Sequence, residues 1–130
     1  MKNYLGRVII LVNDYEATAD FYSANFDFVR IFDVTTDVGQ RFLHMGADQL
    51  STLGIWFLKA EGKQQENLVG KQTGGQPTLV IYTDNLDELY QRVKSNNVKI
   101  KVEPISTPGY KFFHCFDLYG NEIIVAELQD

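Results

Sequence analysis

One cysteine, three prolines, no basic stripe and no long apolar run: each scarcity removes a class of protein. Cys115 stands alone between His114 and Phe116, so the chain can form no internal disulfide, which fits a reducing compartment and a buried thiol. Acidic residues outnumber basic ones by 17 to 12, and the nearest approach to a basic cluster is Lys94, Lys99 and Lys101. Nucleic acid is therefore not an expected partner. The opening residues, Met1 to Arg7, lack a signal-peptide core, and no apolar run approaches the ~20 residues of a membrane span. A soluble, cytoplasmic protein without a membrane partner is expected. Covalent and phosphate chemistry lack their usual frames too. There is no Gly-x-Ser-x-Gly elbow, and Gly74-Gly75 leads to a proline rather than to a phosphate-cradling helix. His114 and Cys115 are neighbours in a strand pattern, so they point to opposite faces and make no dyad.

What is present is a globular composition with a surplus of aromatic side chains. The chain has 130 residues, is 45% apolar, and carries nine Phe and seven Tyr. That length suits one domain able to bury its own core without a disulfide or metal staple. Val8 to Val12 reads as a strand covered on both faces, and Asp14 as the cap of a helix over Tyr15 to Asn25, with Ala17, Phe21 and Ala24 as its stripe. Phe28 to Phe32, Arg41 to Met45 and Ser51 to Leu58 read as strands. After a Gly- and Gln-rich stretch from Glu61 to Pro77, expected to be a linker or surface loop, the order repeats. Thr78 to Thr83 is a strand, and Asp84-Asn85 caps a helix over Leu86 to about Ser95, whose stripe is Leu86, Leu89, Tyr90 and Val93. Asn96-Asn97 supplies its stop. Val98 to Val102, Lys111 to Phe116 and Glu122 to Glu127 are three further strands, with Pro104 and Pro108-Gly109 marking a turn. Asp14 and Asn85 set a period of about 71 residues, a repeat of element order rather than of residue identity.

Two strand–helix–three-strand modules, the entry Asn13-Asp14 followed by Phe21-Tyr22 and Phe26-Asp27-Phe28, and the closing turn Phe116-Asp117-Leu118-Tyr119-Gly120-Asn121 together resemble the vicinal oxygen chelate superfamily. That group includes glyoxalase I, extradiol dioxygenases and bleomycin-resistance proteins. The resemblance implies an α+β fold of two βαβββ modules, forming a cupped mixed sheet with helices on its outer face. A single domain over 1–130 is expected, with module one over about 5–60, a linker over about 61–77 and module two over about 78–128. It also implies a cavity, often floored by a divalent metal taken from the first and last strand of each module, and a homodimer, since small members commonly complete their cavities across a subunit interface.

Carried onto this chain, the metal positions fall on Arg7, Thr78, Ile124 and a residue near Trp56, and none of these is a good ligand for a divalent cation. No metal and no cofactor are therefore expected. Strand alternation turns Arg7, Ile9 and Leu11, then Thr78, Val80 and Tyr82, then Glu122, Ile124 and Ala126 toward the cup. The expected ligand-binding set is Arg7, Trp56, Thr78, Tyr82, His114, Glu122 and Ile124, and no catalytic residue can be named. Arg7 either grips an anionic group of a ligand or pairs with Glu122 or another acidic side chain and closes the cup. Asp117 reads as a turn residue bonding backbone amides beside Gly120. The expected function is metal-independent binding of a small organic molecule. The alternative is a lyase or dioxygenase of the glyoxalase I or extradiol kind using displaced ligands such as His44, His114 and Glu122.

Overall fold

Short β-branched and aromatic runs punctuated by capping residues fold here into two copies of one element order. The computed structural model describes residues 1–49 and 53–128. The strands and helices are β1 (Arg7–Val12), α1 (Tyr15–Phe26), β2 (Val29–Thr35), β3 (Arg41–Gly46), β4 (Gly54–Lys59), α2 (Gly62–Glu66), β5 (Leu79–Tyr82), α3 (Leu86–Ser95), β6 (Ile100–Ser106), β7 (Tyr110–Phe116) and β8 (Glu122–Leu128). The start of the strand expected from Ser51 lies outside the described residues. Two four-stranded sheets result, ordered β1-β4-β3-β2 and β5-β8-β7-β6. In each, the first strand runs parallel to the last and the other pairs are antiparallel. The fold is α+β, with two βαβββ modules. The chain divides into two compact units, Met1–Val69 and Gly70–Asp130.

Each sheet buries one face under its own helix. In the first unit Ile10, Val12, Leu43, Met45, Ile55 and Phe57 form that buried layer, and α1 packs on β4. In the second, Phe113, Cys115, Ile123 and Val125 do so beneath α3. Burial pushes the Cys115 thiol up to about 12, so it is protonated core rather than a nucleophile.

Helices α1 and α3 begin as the capping residues predict. Asp14 accepts from Ala17 N at 2.9 Å, and Asn85 accepts from Glu88 N at 3.1 Å. The stripe of α3 is buried as expected, but that of α1 is not. Ala17 and Ala24 are exposed, and the helix buries Thr18, Ala19, Tyr22, Asn25 and Phe26. The two polar members can turn inward because each is satisfied within the helix: Thr18 Oγ1 donates to Asp14 O, and Asn25 Nδ2 to Phe21 O. Tyr22 then packs its ring 5.1 Å from that of Phe57.

Two further expectations change. Pro104 marks no turn but lies inside β6, between register shifts at Val102 and Ile105, on a strand that is the edge of its own sheet, where a missing N–H costs no ladder bond. The Glu61 to Pro77 stretch contains the short helix α2. Among the described residues no helix is long and apolar enough to cross a membrane.

The closing turn is built as its residues suggest. Asp117 Oδ1 accepts from the backbone N–H of Tyr119 and of Asn121, both at 2.9 Å, and Oδ2 accepts from Asn121 Nδ2. Gly120 takes φ +95 within it, a left-handed conformation that side chains with a Cβ resist.

Candidate functional site

The face of each sheet turned away from its helix carries a transverse row of side chains fixed by strand register. In the first unit the row is Ile9, Trp56, His44 and Phe32, each directly paired with the next. In the second it is Val80, Ile124, His114 and Val102. A histidine on the third strand of each module thus faces the same position of its last strand. Ile9 is 49% and Val80 55% exposed, so both rows keep apolar surface unburied in the described chain. Around the first row the aromatic rings form a near-continuous surface: Phe32 to His44 at 5.4 Å, His44 to Trp56 at 4.9 Å and Trp56 to Phe42 at 5.7 Å between centroids.

One step along the strands, the modules diverge. Two residues before Trp56 stands Gly54, and two before Ile124 stands Glu122. A Cβ at Gly54 would meet Met45 O at 2.9 Å and Ile31 Cδ1 at 2.8 Å, so the site rejects a side chain, and Arg7 Cδ lies 3.6 Å from that point. Arg7 instead supplies the polar group. Its Nε donates to His44 Nδ1 at 3.0 Å, and its Nη1 to the Gly6 carbonyl at 2.6 Å. An arginine nitrogen can only donate, so His44 Nδ1 accepts and the ring proton sits on Nε2. Burial first, and then the Arg7 charge, lower the His44 pKa and keep the ring neutral.

In the second unit the carboxylate takes this role. Glu122 is 5% exposed, and its oxygens receive Lys101 Nζ at 2.8 Å and His114 Nδ1 at 2.7 Å. The Lys101 hydrogen bond, reinforced by His114, holds the Glu122 carboxyl below its ordinary value against the opposing effect of burial. An ionised carboxylate only accepts, so His114 carries its proton on Nδ1. The two histidines therefore use Nδ1 in opposite senses, His44 accepting and His114 donating.

Among the described residues, the buried side-chain atoms without a hydrogen-bonding partner are His44 Nε2, Trp56 Nε1 and Asn121 Oδ1. Two of these three are donors on adjacent positions of the first row.

The expected site residues fall as follows. Trp56 and Ile124 occupy the row positions, His114 and Glu122 bond each other, and Arg7 bonds His44. Thr78 lies just before β5, and its N–H donates to Glu122 O at 2.8 Å. Tyr82 is 68% exposed and borders an open depression of about 670 Å3 with Thr83, Asp84, Glu127 and Leu128. Another open depression, of about 610 Å3, lies among Leu11, Tyr15, Arg41, Leu58 and Gln65. Neither includes His44, Trp56, His114 or Glu122, and their volumes open to solvent, so side-chain chemistry locates the candidate site better than volume does. Sequence reasoning missed Lys101, Phe32, Phe42 and the contribution of Gly54. The alternation of Phe42 and His44 was a usable signal for the first row, whereas Lys101 is brought to Glu122 along a strand whose register shifts twice.

These donors do not fit a divalent cation. Arg7 places a fixed positive charge beside His44, Lys101 places another beside Glu122, and Trp56 and Ile124 offer no lone pair. Among the described residues no three His, Cys, Asp or Glu side chains are grouped as a metal would require.

Comparison with known proteins agrees with this architecture. The chain is 27% identical over 132 residues to an uncharacterized protein of Shewanella frigidimarina, covering 100% of this chain and 97% of that one. Its fold is similar to the crystal structure of UcmS2, with a TM-score of 0.81, 22% identity and coverage of 97% and 98% of the two chains. It is also similar to TnmS3, an antibiotic binding protein from Streptomyces sp. CB03234, with a TM-score of 0.76, 20% identity and 98% coverage of both. The family model for the Glyoxalase/Bleomycin resistance protein/Dioxygenase superfamily matches residues 4–125, and the chain belongs to that superfamily.

Proposed function

We propose that the protein binds a small organic molecule without a metal, on the open sheet faces that carry the two rows. One observation carries this reading: the polar groups at and beside the superfamily's metal positions are engaged with cations of the protein itself, Arg7 on His44 and Lys101 on Glu122. What surrounds them is aromatic and aliphatic surface with a few polar points, a lining that holds an organic ligand by packing and a small number of hydrogen bonds. Arg7 and Trp56 on the face of the first unit, and Thr78, Tyr82, His114, Glu122 and Ile124 on that of the second, are the residues assigned to binding. Likeness to an antibiotic binding protein is in keeping with a binding role.

We also infer a homodimer, supported by the unburied apolar side chains Ile9, Phe32 and Val34 in the first unit and Val80 and Leu128 in the second.

The binding reading is tested by metal analysis of gently purified protein, together with turnover assays on a hemithioacetal and a catechol. Sub-stoichiometric metal and no turnover are expected, with retained small molecules unaffected by a chelator. Stoichiometric zinc, nickel, manganese or iron that disappears in His114→Ala overturns it, as does turnover.

A further inference from the structure

The first unit holds two buried N–H donors with nothing to donate to. Buried polar groups are almost always hydrogen-bonded, because leaving one unmade forfeits its hydration without return. His44 Nε2 and Trp56 Nε1 break that rule together, on directly paired residues with rings 4.9 Å apart. Both are donors: the indole nitrogen by its nature, and the imidazole nitrogen because Arg7 Nε occupies Nδ1 and leaves the proton on Nε2. The guanidinium adds positive charge beside them. Two donors and a nearby cation favour an anionic oxygen acceptor, and the flanking rings of Phe32 and Phe42 favour a flat apolar body attached to it.

We propose that His44 Nε2–H and Trp56 Nε1–H form a donor pair that receives a carboxylate of an aromatic ligand, with Arg7 acting as a positioning residue that fixes the His44 tautomer. This rests on the binding function proposed above and names the ligand class and its anchor. The chain as a whole is acidic, with a net charge of -5, but at this anchor Arg7 contributes positive charge beside His44. The second unit offers no equivalent: Ile124 stands where Trp56 does and has no N–H to donate, and His114 is engaged by the Glu122 carboxylate.

Trp56 is the only tryptophan, so a proton–nitrogen spectrum of isotope-labelled protein contains one indole signal that reports this site directly. Three probes share one ring system: naphthoate, naphthylmethylammonium and naphthalenemethanol. Naphthoate is expected to move the indole signal downfield and to bind about tenfold more tightly than the ammonium analogue, as a hydrogen bond to a charged group implies. Trp56→Phe keeps an aromatic ring and is expected to weaken naphthoate about tenfold while leaving the ammonium analogue nearly unchanged. Long-range imidazole spectra of the unsubstituted protein should show the His44 proton on Nε2, and Arg7→Met should redistribute it between the two nitrogens.

Equal affinity for naphthoate and the ammonium analogue overturns the proposal. So does an unmoved indole signal, full affinity in Trp56→Phe, a proton on His44 Nδ1, or failure of all three probes to bind. The metal-free binding function falls on the metal and turnover measurements instead, so the two failures are told apart.

Discussion

Glu122 shows what a single carboxylate does when its partners are fixed. Lys101 and then His114 depress its pKa in the folded protein, so the ionised form is favoured more in the fold than in the unfolded chain. The stabilisation is present above the ordinary value of 4.5 and is lost as pH falls through the lower folded value. Thermal melts below about pH 4.5 should therefore drop steeply, and Lys101→Met should flatten that dependence while lowering the melting temperature at neutral pH. Lys101 is 46% exposed, so salt should weaken its share of the effect.

Gly70 is the other residue where one atom decides. Its φ is +77, and a Cβ there would lie 1.9 Å from Tyr119 O, the backbone of the closing turn. Gly70→Ala should destabilise by on the order of 3 kcal/mol or more in chemical denaturation, since both strain and overlap must be relieved. Residue-scale roles were unevenly legible. Asp117 could be read from its spacing to Gly120, because the bonds of an Asp turn are local. Gly70 could not, because its constraint comes from a carbonyl far along the chain.

At the scale of elements, α3 was read correctly and α1 was read in the wrong rotation. In α3 every apolar residue lies on one side, so only one phase is possible. In α1 two phases compete, and the correct one includes Thr18 and Asn25, whose polarity is cancelled by bonds to the helix backbone that composition does not reveal. The difference is measurable: Tyr22→Ala should cost about 3–5 kcal/mol by urea unfolding, and Ala24→Glu should stay within about 0.5 kcal/mol.

A surface network ties the same helix to its sheet. Glu16 of α1 meets Arg30 and Arg41 at 2.8 and 2.6 Å, and Asp33 joins both arginines. Arg30 and Arg41 lower the Glu16 pKa to about 2. Element order was legible because the elements repeat, and Pro104 misled because a proline inside a strand looks like a turn until the strand is known to be an edge.

For the whole molecule, light scattering after size exclusion should give twice the chain mass of 14.9 kDa. A monomer at micromolar concentration would remove the dimer from the proposal and leave the binding function standing. The scaffold could be recognised from the sequence because it is written twice; the chemistry could not, because it lies in the positions where the two copies disagree.

That disagreement has a directional consequence. The halves repeat in backbone but differ in hydrogen-bond polarity at Nδ1, since His44 accepts there from Arg7 and His114 donates there to Glu122. A chimeric chain made of two first modules would keep the strand order and the rows while losing the imidazole–carboxylate pair of His114 and Glu122. Arg7 with Gly54 in one half, and Glu122 with Lys101 in the other, thus turn the same histidine position of one repeated element order to opposite uses.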